Sequence, residues 1–190
     1  MNTYELIVKR RTVRKFQQRP VPRELLERCV NAARVAPSAA NLQPLEYVVV
    51  ADPEQGARVF PHTAWAGYLS DGTPGPGEQP TAYIFLLINT RVRPDAAMDV
   101  GIAAENIVLV ALEGDVGSCM IGSLARDALR DLLGVPEHLE IALVVALGYP
   151  AEQPVMEEMA GDSVKYYRDD QAVLHVPKRP LSAVLHWNKY

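Results

Sequence analysis

Two short segments hold the residue types that bind a charged, ring-bearing molecule. The first is Lys9-Arg10-Arg11-Thr12-Val13-Arg14-Lys15-Phe16, which gathers five cations around a hydroxyl and an aromatic ring. Arginine offers fixed, forked, permanently charged donors that match phosphate oxygens. On a helical path Arg10 and Arg14 share one face. The competing reading of such a run is a solvated helix end. The second segment is Pro37-Ser38-Ala39-Ala40-Asn41-Leu42-Gln43-Pro44. Its hydroxyl and amide side chains can read the edge of a heterocycle, although such residues also make turns by bonding their own backbone. A third candidate is Gly117 to Ser123, a strand running into a helix start. Free N–H groups at a helix N-terminus meet electron-rich atoms. The plainer alternative is a strand-to-helix turn capped by Ser123. Together these segments point to a phosphorylated ring compound.

The bulk composition narrows the partner. The chain has 190 residues, 48% hydrophobic and 22% charged, enough for one domain with a real core. Formal net charge is -4. The basic cluster opposes that sign, which favours a small anion over a nucleic acid. Cys29 and Cys119 are far apart and sit in apolar patterns, so buried thiols in a reducing, cytoplasmic setting are expected. The first residues lack the apolar stretch of a secretory leader, and no apolar run approaches a membrane span. His62, His138, His175 and His186 have no ligand spacing, so no metal site is expected. GxSxG, Walker A and GxGxxG are absent, which leaves hydrolase and Rossmann nucleotide chemistry without support.

The elements that must position these segments are legible in outline. Helices are expected over Tyr4 to Arg10, Pro22 to about Ala36 and Pro53 to Val59. Glu46 to Ala51, Ala82 to Ile88, Val116 to Ile121 and Leu139 to Gly148 read as strands, the second apolar throughout and therefore central. Asp95 is expected to cap a long helix ending at Gly114. That helix is apolar from Val100 to Leu112 apart from Glu105 and Asn106, which predicts burial on all sides at the domain centre or in a dimer interface. Ser123 is expected to cap the next helix, which Gly134 and Pro136 end. Residues 71–77 form a Gly/Pro loop, read as a mobile flap or surface excursion. After Pro150 no long periodic run follows, and residues 151–190 read as an arm.

At these residues the chain resembles the FMN-dependent nitroreductase family. The resemblance is carried, in order, by Arg10-Arg11-Thr12-Val13-Arg14-Lys15-Phe16 and Ala36-Pro37-Ser38-Ala39-Ala40-Asn41-Leu42-Gln43-Pro44. The apolar helix with Glu105-Asn106 follows, then Met120-Ile121-Gly122-Ser123. Leu133-Gly134-Val135-Pro136, Leu147-Gly148-Tyr149-Pro150, Lys178-Arg179-Pro180-Leu181 and His186-Trp187 complete it.

The resemblance implies a single α+β domain over 1–190: a nitroreductase-like sandwich with a central, mostly antiparallel sheet flanked by helices. It implies a homodimer with FMN at the interface and the arm, 151–190, wrapped around the partner. Arg10, Arg11 and Thr12 would then meet the FMN phosphate. Arg14 would face the ribityl chain or the pyrimidine, and Arg179 with Lys178 would close the phosphate site. Pro37, Ser38 and Asn41 would come from the partner. Ile121, Gly122 and Ser123 would line the flavin, with a backbone N–H toward N5. The implied activity is ping-pong hydride transfer from NAD(P)H through FMN to a nitroaromatic, quinone or flavin. Alternatives are dehalogenation, flavin fragmentation, azoline oxidation or non-catalytic redox sensing. Residues 61–80 are shorter than in larger nitroreductases, and Trp65 and Tyr68 read either as a small lid or as packing.

Overall fold

The computed structural model describes residues 2–190. Its frame is a four-stranded antiparallel sheet in the order β1-β2-β4-β3. The strands are β1 (Leu45–Val50), β2 (Ala82–Asn89), β3 (Gly117–Ile121) and β4 (Leu139–Gly148). Seven consecutive residues of β2, Ala82 to Ile88, are buried. An inner strand covered on both faces needs no polar side, which is why this stretch reads as an unbroken apolar run.

Successive β2 side chains supply the two faces. Ile84, Leu86 and Ile88 pack under α2 (Arg23–Arg34) and α4 (Ala97–Glu113) with Leu26, Ala103 and Ile107. Tyr83, Phe85 and Leu87 face the opposite layer, where Val59 of α3 (Pro53–Val59) and Leu129 of α5 (Arg126–Leu133) complete a second core. Each such apolar side chain contributes about 1.5–3 kcal/mol when fully buried. The expected α+β sandwich is therefore observed.

Two local expectations are corrected. Asp95 does not cap α4; the cap position is Ala96, and the acidic residue of the first turn is Asp99. Ser123 does not cap α5, which starts three residues later at Arg126. The backbone there is held by residues 62–64: Ala64 donates to the Ser123 carbonyl at 3.0 Å and Ala125 to the His62 carbonyl at 3.0 Å. Within one chain α4 is not enclosed on all sides, so of its two expected settings the domain centre does not account for all of its apolar surface. Val100, Ala103, Ala104, Ile107, Val108 and Ala111 are buried. Met98 is exposed, and Ile102, Leu109 and Leu112 are half-buried along one stripe. Among the described residues no helix is long and apolar enough to cross a membrane.

The N-terminal segment after α1 (Thr3–Lys9) leaves the helical path and lies along the sheet. Gly117 and Gly148 are cross-strand partners on β3 and β4. Val13 and Phe16 rest on this glycine pair, and Phe16 is fully buried. A Cβ at Gly117 would stand 2.9 Å from Val13 Cβ, and one at Gly148 would stand 2.9 Å from Phe16 Cδ1.

The region after Pro150 is more structured than an extended arm. β5 (Val155–Glu158), β6 (Tyr167–Arg168) and β7 (Leu174–Lys178) form a second, three-stranded sheet, followed by an exposed tail at 181–190. His175 on β7 lies between Glu157 Oε2 at 3.0 Å and Asp169 Oδ2 at 3.1 Å, with its ring stacked on Tyr167. Hydrogen bonds to Asp169, and then to Glu157, raise the His175 pKa above its ordinary 6.5. The Val173 N–H, followed by His175, holds the Asp169 carboxyl below its usual value.

The loop at 71–77 is docked rather than a free flap. Gly72 and Pro74 are buried. Asp71 lies 3.1 Å from Arg168 and 3.9 Å from Lys15, and Glu78 accepts from the Gly75 N–H at 3.1 Å.

Gly148→Ala is expected to destabilise the domain by about 1–3 kcal/mol through overpacking against Phe16. A lower urea midpoint with unchanged slope checks this. The small sheet has its own pH dependence. A raised histidine pKa stabilises the folded form below pH 6.5 and loses that contribution as pH rises through the folded value. Hydrogen exchange at residues 155–178, corrected for intrinsic rates, is expected to accelerate as the pH rises from 6.5 through the raised folded value. In His175→Gln that acceleration disappears.

Candidate functional site

The path of residues 10–16 decides where the cations go. Arg10 ends α1 with extended backbone (φ -57°, ψ 127°), so Arg10 and Arg14 do not share a helical face as the i,i+4 spacing predicts. Docking of Val13 and Phe16 on the sheet outweighs helix continuation. Thr12 pairs with Ser118 in a parallel bridge, and the Val13 N–H donates to the Ser118 carbonyl at 2.9 Å.

Each cation has a distinct setting. Arg10 Nε lies 3.4 Å from Glu105 Oε1 on α4. Arg11 folds back to donate to the carbonyls of Arg10 and Val8, a side-chain cap on the last turn of α1. Burial, followed by the neighbouring Arg10 charge, lowers the Arg11 pKa. Arg14 lies over the Tyr166 ring, 4.7 Å from its centroid. The Nε atoms of Arg11 and Arg14 are buried without a hydrogen-bond partner.

Glu152 locks the segment from behind. Its Oε1 accepts from the backbone N–H groups of Arg14 at 2.6 Å and Lys15 at 3.2 Å. Its side chain is 5% exposed, and Arg168 Nη2 lies 2.8 Å from Oε2. That contact is close in distance but not aligned as a hydrogen bond. A buried carboxylate is tolerated only with such partners. Between α1, β3 and residues 150–155 lies a groove of about 800 Å³, lined by Arg10, Arg11, Gly117, Ser118 and Glu152 among others.

Pro37 and Ser38 lie elsewhere, beside a cavity of about 150 Å³ that Asp99 also lines. Leu112 lines the arginine groove. Asp99 and Leu112 are separated along α4 by about 20 Å, at 1.5 Å per residue. Arg10 itself meets α4 nearer, at Glu105, six residues or about 9 Å along the helix from Asp99, and Ser38 and Arg10 line separate pockets. Asn41 is exposed with φ 54°.

Ile121 is buried at the end of β3, and Gly122 and Ser123 follow it exposed. They lie in the loop before α5, not at its N-terminus; the Gly122 carbonyl accepts from Arg126 Nη2 at 3.1 Å. Lys178 ends β7, and exposed Arg179 donates to its own turn at the Ala183 carbonyl at 2.7 Å.

Trp65 donates to Thr63 Oγ1 at 2.9 Å and packs on the second core. Tyr68 is 54% exposed and meets Tyr166 at 5.0 Å between centroids. Sequence reasoning missed Glu152, Tyr166, Arg168 and Asp99. A lone charge in aperiodic chain carries no spacing signal. Asp99, a carboxylate at the edge of an apolar helix, was the detectable one.

A sequence profile of the Nitroreductase family matches residues 7–70 and 78–149, interrupted across the docked loop. An NADH dehydrogenase of Thermus thermophilus is 30% identical, covering 77% of this chain and 85% of that protein. An NADPH-flavin oxidoreductase of Vibrio harveyi is 25% identical, covering 100% and 75%. The solved structure of an FMN-dependent nitroreductase from Clostridium difficile R20291 shares the fold with a TM-score of 0.70 at 24% identity, covering 99% and 100%. The arginine segment, the sheet beneath it and the long apolar helix all fall inside the matched residues, and the chain belongs to the nitroreductase family.

Proposed function

We propose that this protein is an FMN-dependent oxidoreductase that takes reducing equivalents from NAD(P)H and passes them, in a ping-pong cycle, to an electron-poor acceptor such as a nitroaromatic, quinone or flavin. The observation that carries this reading is the groove beside Arg10 and Arg11. There Arg10 and Arg11 line a space of about 800 Å³, large enough for a phosphorylated ring compound, and the Arg11 Nε beside it is buried without a hydrogen-bond partner. The names of the relatives, an NADPH-flavin oxidoreductase and an FMN-dependent nitroreductase, support the same cofactor.

When bound, FMN supplies hydride acceptance and donation at N5, chemistry that side chains do not offer. The chain supplies binding and orientation. Arg10, Thr12 and Arg11 would hold the phosphate, with Lys178 and Arg179 closing over it. Arg14 would face the ribityl chain or the pyrimidine edge, where its fixed charge would stabilise negative charge on the ring. Ile121, Gly122 and Ser123 would line the flavin, and a backbone N–H of this turn would serve N5. Pro37, Ser38 and Asn41 belong to the site of a second copy. That Ser38 and Arg10 line separate pockets of one chain supports that division. So does the uncovered stripe of Met98, Ile102, Leu109 and Leu112, which a second copy would bury. In this arrangement residues 1–190 act as one domain in a cytoplasmic homodimer, with the tail reaching the partner.

The first test is the visible spectrum of purified protein before and after anaerobic NADH or NADPH. A flavin band that bleaches is expected; a protein that stays colourless after FMN is added overturns the assignment. Arg10→Ala is expected to weaken FMN binding about 10- to 100-fold, the loss of charge-assisted hydrogen bonds. Fluorescence titration reads it, and unchanged affinity removes Arg10 from the phosphate site. Sedimentation is expected to give a dimer that persists on dilution.

A further inference from the structure

The loop from Ser38 to Gln43 is bent in a way its sequence does not favour. Ala40, Asn41 and Gln43 all have positive φ, at 51°, 54° and 51°. None is glycine, and Ala and Gln adopt this region reluctantly. Such a conformation persists only where its surroundings over-determine it. Most of the loop's hydrogen bonds are internal. Asn41 donates to the Ser38 carbonyl at 2.9 Å, Leu42 to Ala39 at 3.1 Å, and Gln43 Nε2 to the Asn41 carbonyl at 3.2 Å.

The tie to the rest of the fold runs through one hydroxyl. Ser38 Oγ donates to Asp99 Oδ2 at 2.5 Å and accepts the Gln43 N–H at 3.0 Å. It therefore bridges both ends of the loop to α4. Asp99 is 4% exposed, and among the described residues no basic side chain forms an ion pair with it. Its place in the first turn of α4 sets the carboxylate beside the positive end of the helix dipole. The carboxylate is bonded to Ser38 and shares its cavity with Tyr47, so the hydroxyl of Ser38 is its hydrogen-bond link to the loop.

We infer that Asp99 is a positioning residue: it fixes the Ser38 hydroxyl and thereby holds residues 38–43 in the bent shape that meets the partner copy's cofactor. This rests on the proposed flavin site between two copies. Asp99 itself touches no cofactor, so its effect must pass through Ser38.

The test uses the full chain with FMN titration of wild type, Asp99→Ala, Asp99→Asn, Ser38→Ala and the Ser38→Ala/Asp99→Ala double variant. Hydrogen exchange of the cofactor-free proteins is measured in parallel. Asp99→Ala is expected to weaken FMN binding at least tenfold and to speed exchange in 38–43 at least tenfold, with residues 103–111 still protected. Asp99→Asn, which keeps an acceptor oxygen, recovers most of the affinity. The double variant is no weaker than Ser38→Ala, because the two residues act in series. If Asp99→Ala does not fold, the Asp99→Asn and Ser38→Ala pair still decides: equal loss in both overturns rescue by the conservative change. Fully additive losses, or a loop whose exchange does not change, overturn the inference while leaving the flavin site intact. Failure of the wild type to bind FMN overturns the underlying function as well, and is recognised because every variant then behaves alike.

Discussion

Everything that gives this protein its candidate chemistry depends on the close approach of Val13 and Phe16 to two glycines on adjacent strands. Gly117 and Gly148 sit opposite each other and leave a flat place on the sheet where side chains would otherwise stand. The N-terminal segment presses into it. That contact stops α1 at Lys9, because residues on a helical path could not lie flat along β3. It also sets the order of exposure. Val13 and Phe16 face inward, and Arg14 and Lys15 between them are only partly covered. The cations are displayed by a rigid backbone rather than by a flexible terminus.

The cost of that display is buried charge, and the C-terminal region offsets it. Glu152 takes two backbone N–H groups of the segment on one oxygen and faces Arg168 with the other. Arg168 belongs to β6 and also reaches Asp71, which in turn lies near Lys15. The Gly/Pro loop, the N-terminal segment and the small sheet are thereby joined through alternating charges. Such a network stabilises only while each member keeps its partner, since an unpaired buried ion costs more than the pair gains.

Most of the frame was legible because its signals are local. The unbroken apolar run of β2 announces an inner strand, and Gly134 stops α5 in the left-handed conformation expected of a C-terminal glycine. The errors share one cause, tertiary contact overriding local preference. Ser123 is a good cap by type, yet pairing of residues 123–125 with 62–64 holds the backbone there before α5 begins. Residues 71–77 look unable to order themselves, and order comes from charges nearly a hundred positions away. The i,i+4 spacing of Arg10 and Arg14 is genuine in sequence but is not used. The arginine segment itself was readable from composition. Glu152 was not, because one carboxylate in an aperiodic stretch looks like any other until the chain returns to the N-terminal segment.

The sharing of each proposed site between two copies has a genetic consequence. In the proposed pair of copies, each site combines the arginine end of one chain with the serine end of the other. A mixed pair built from an Arg10-defective chain and a Ser38-defective chain then holds one site with both lesions and one with neither. Two alleles that are each inactive alone would restore function when expressed together, whereas two alleles damaged at the same end would not.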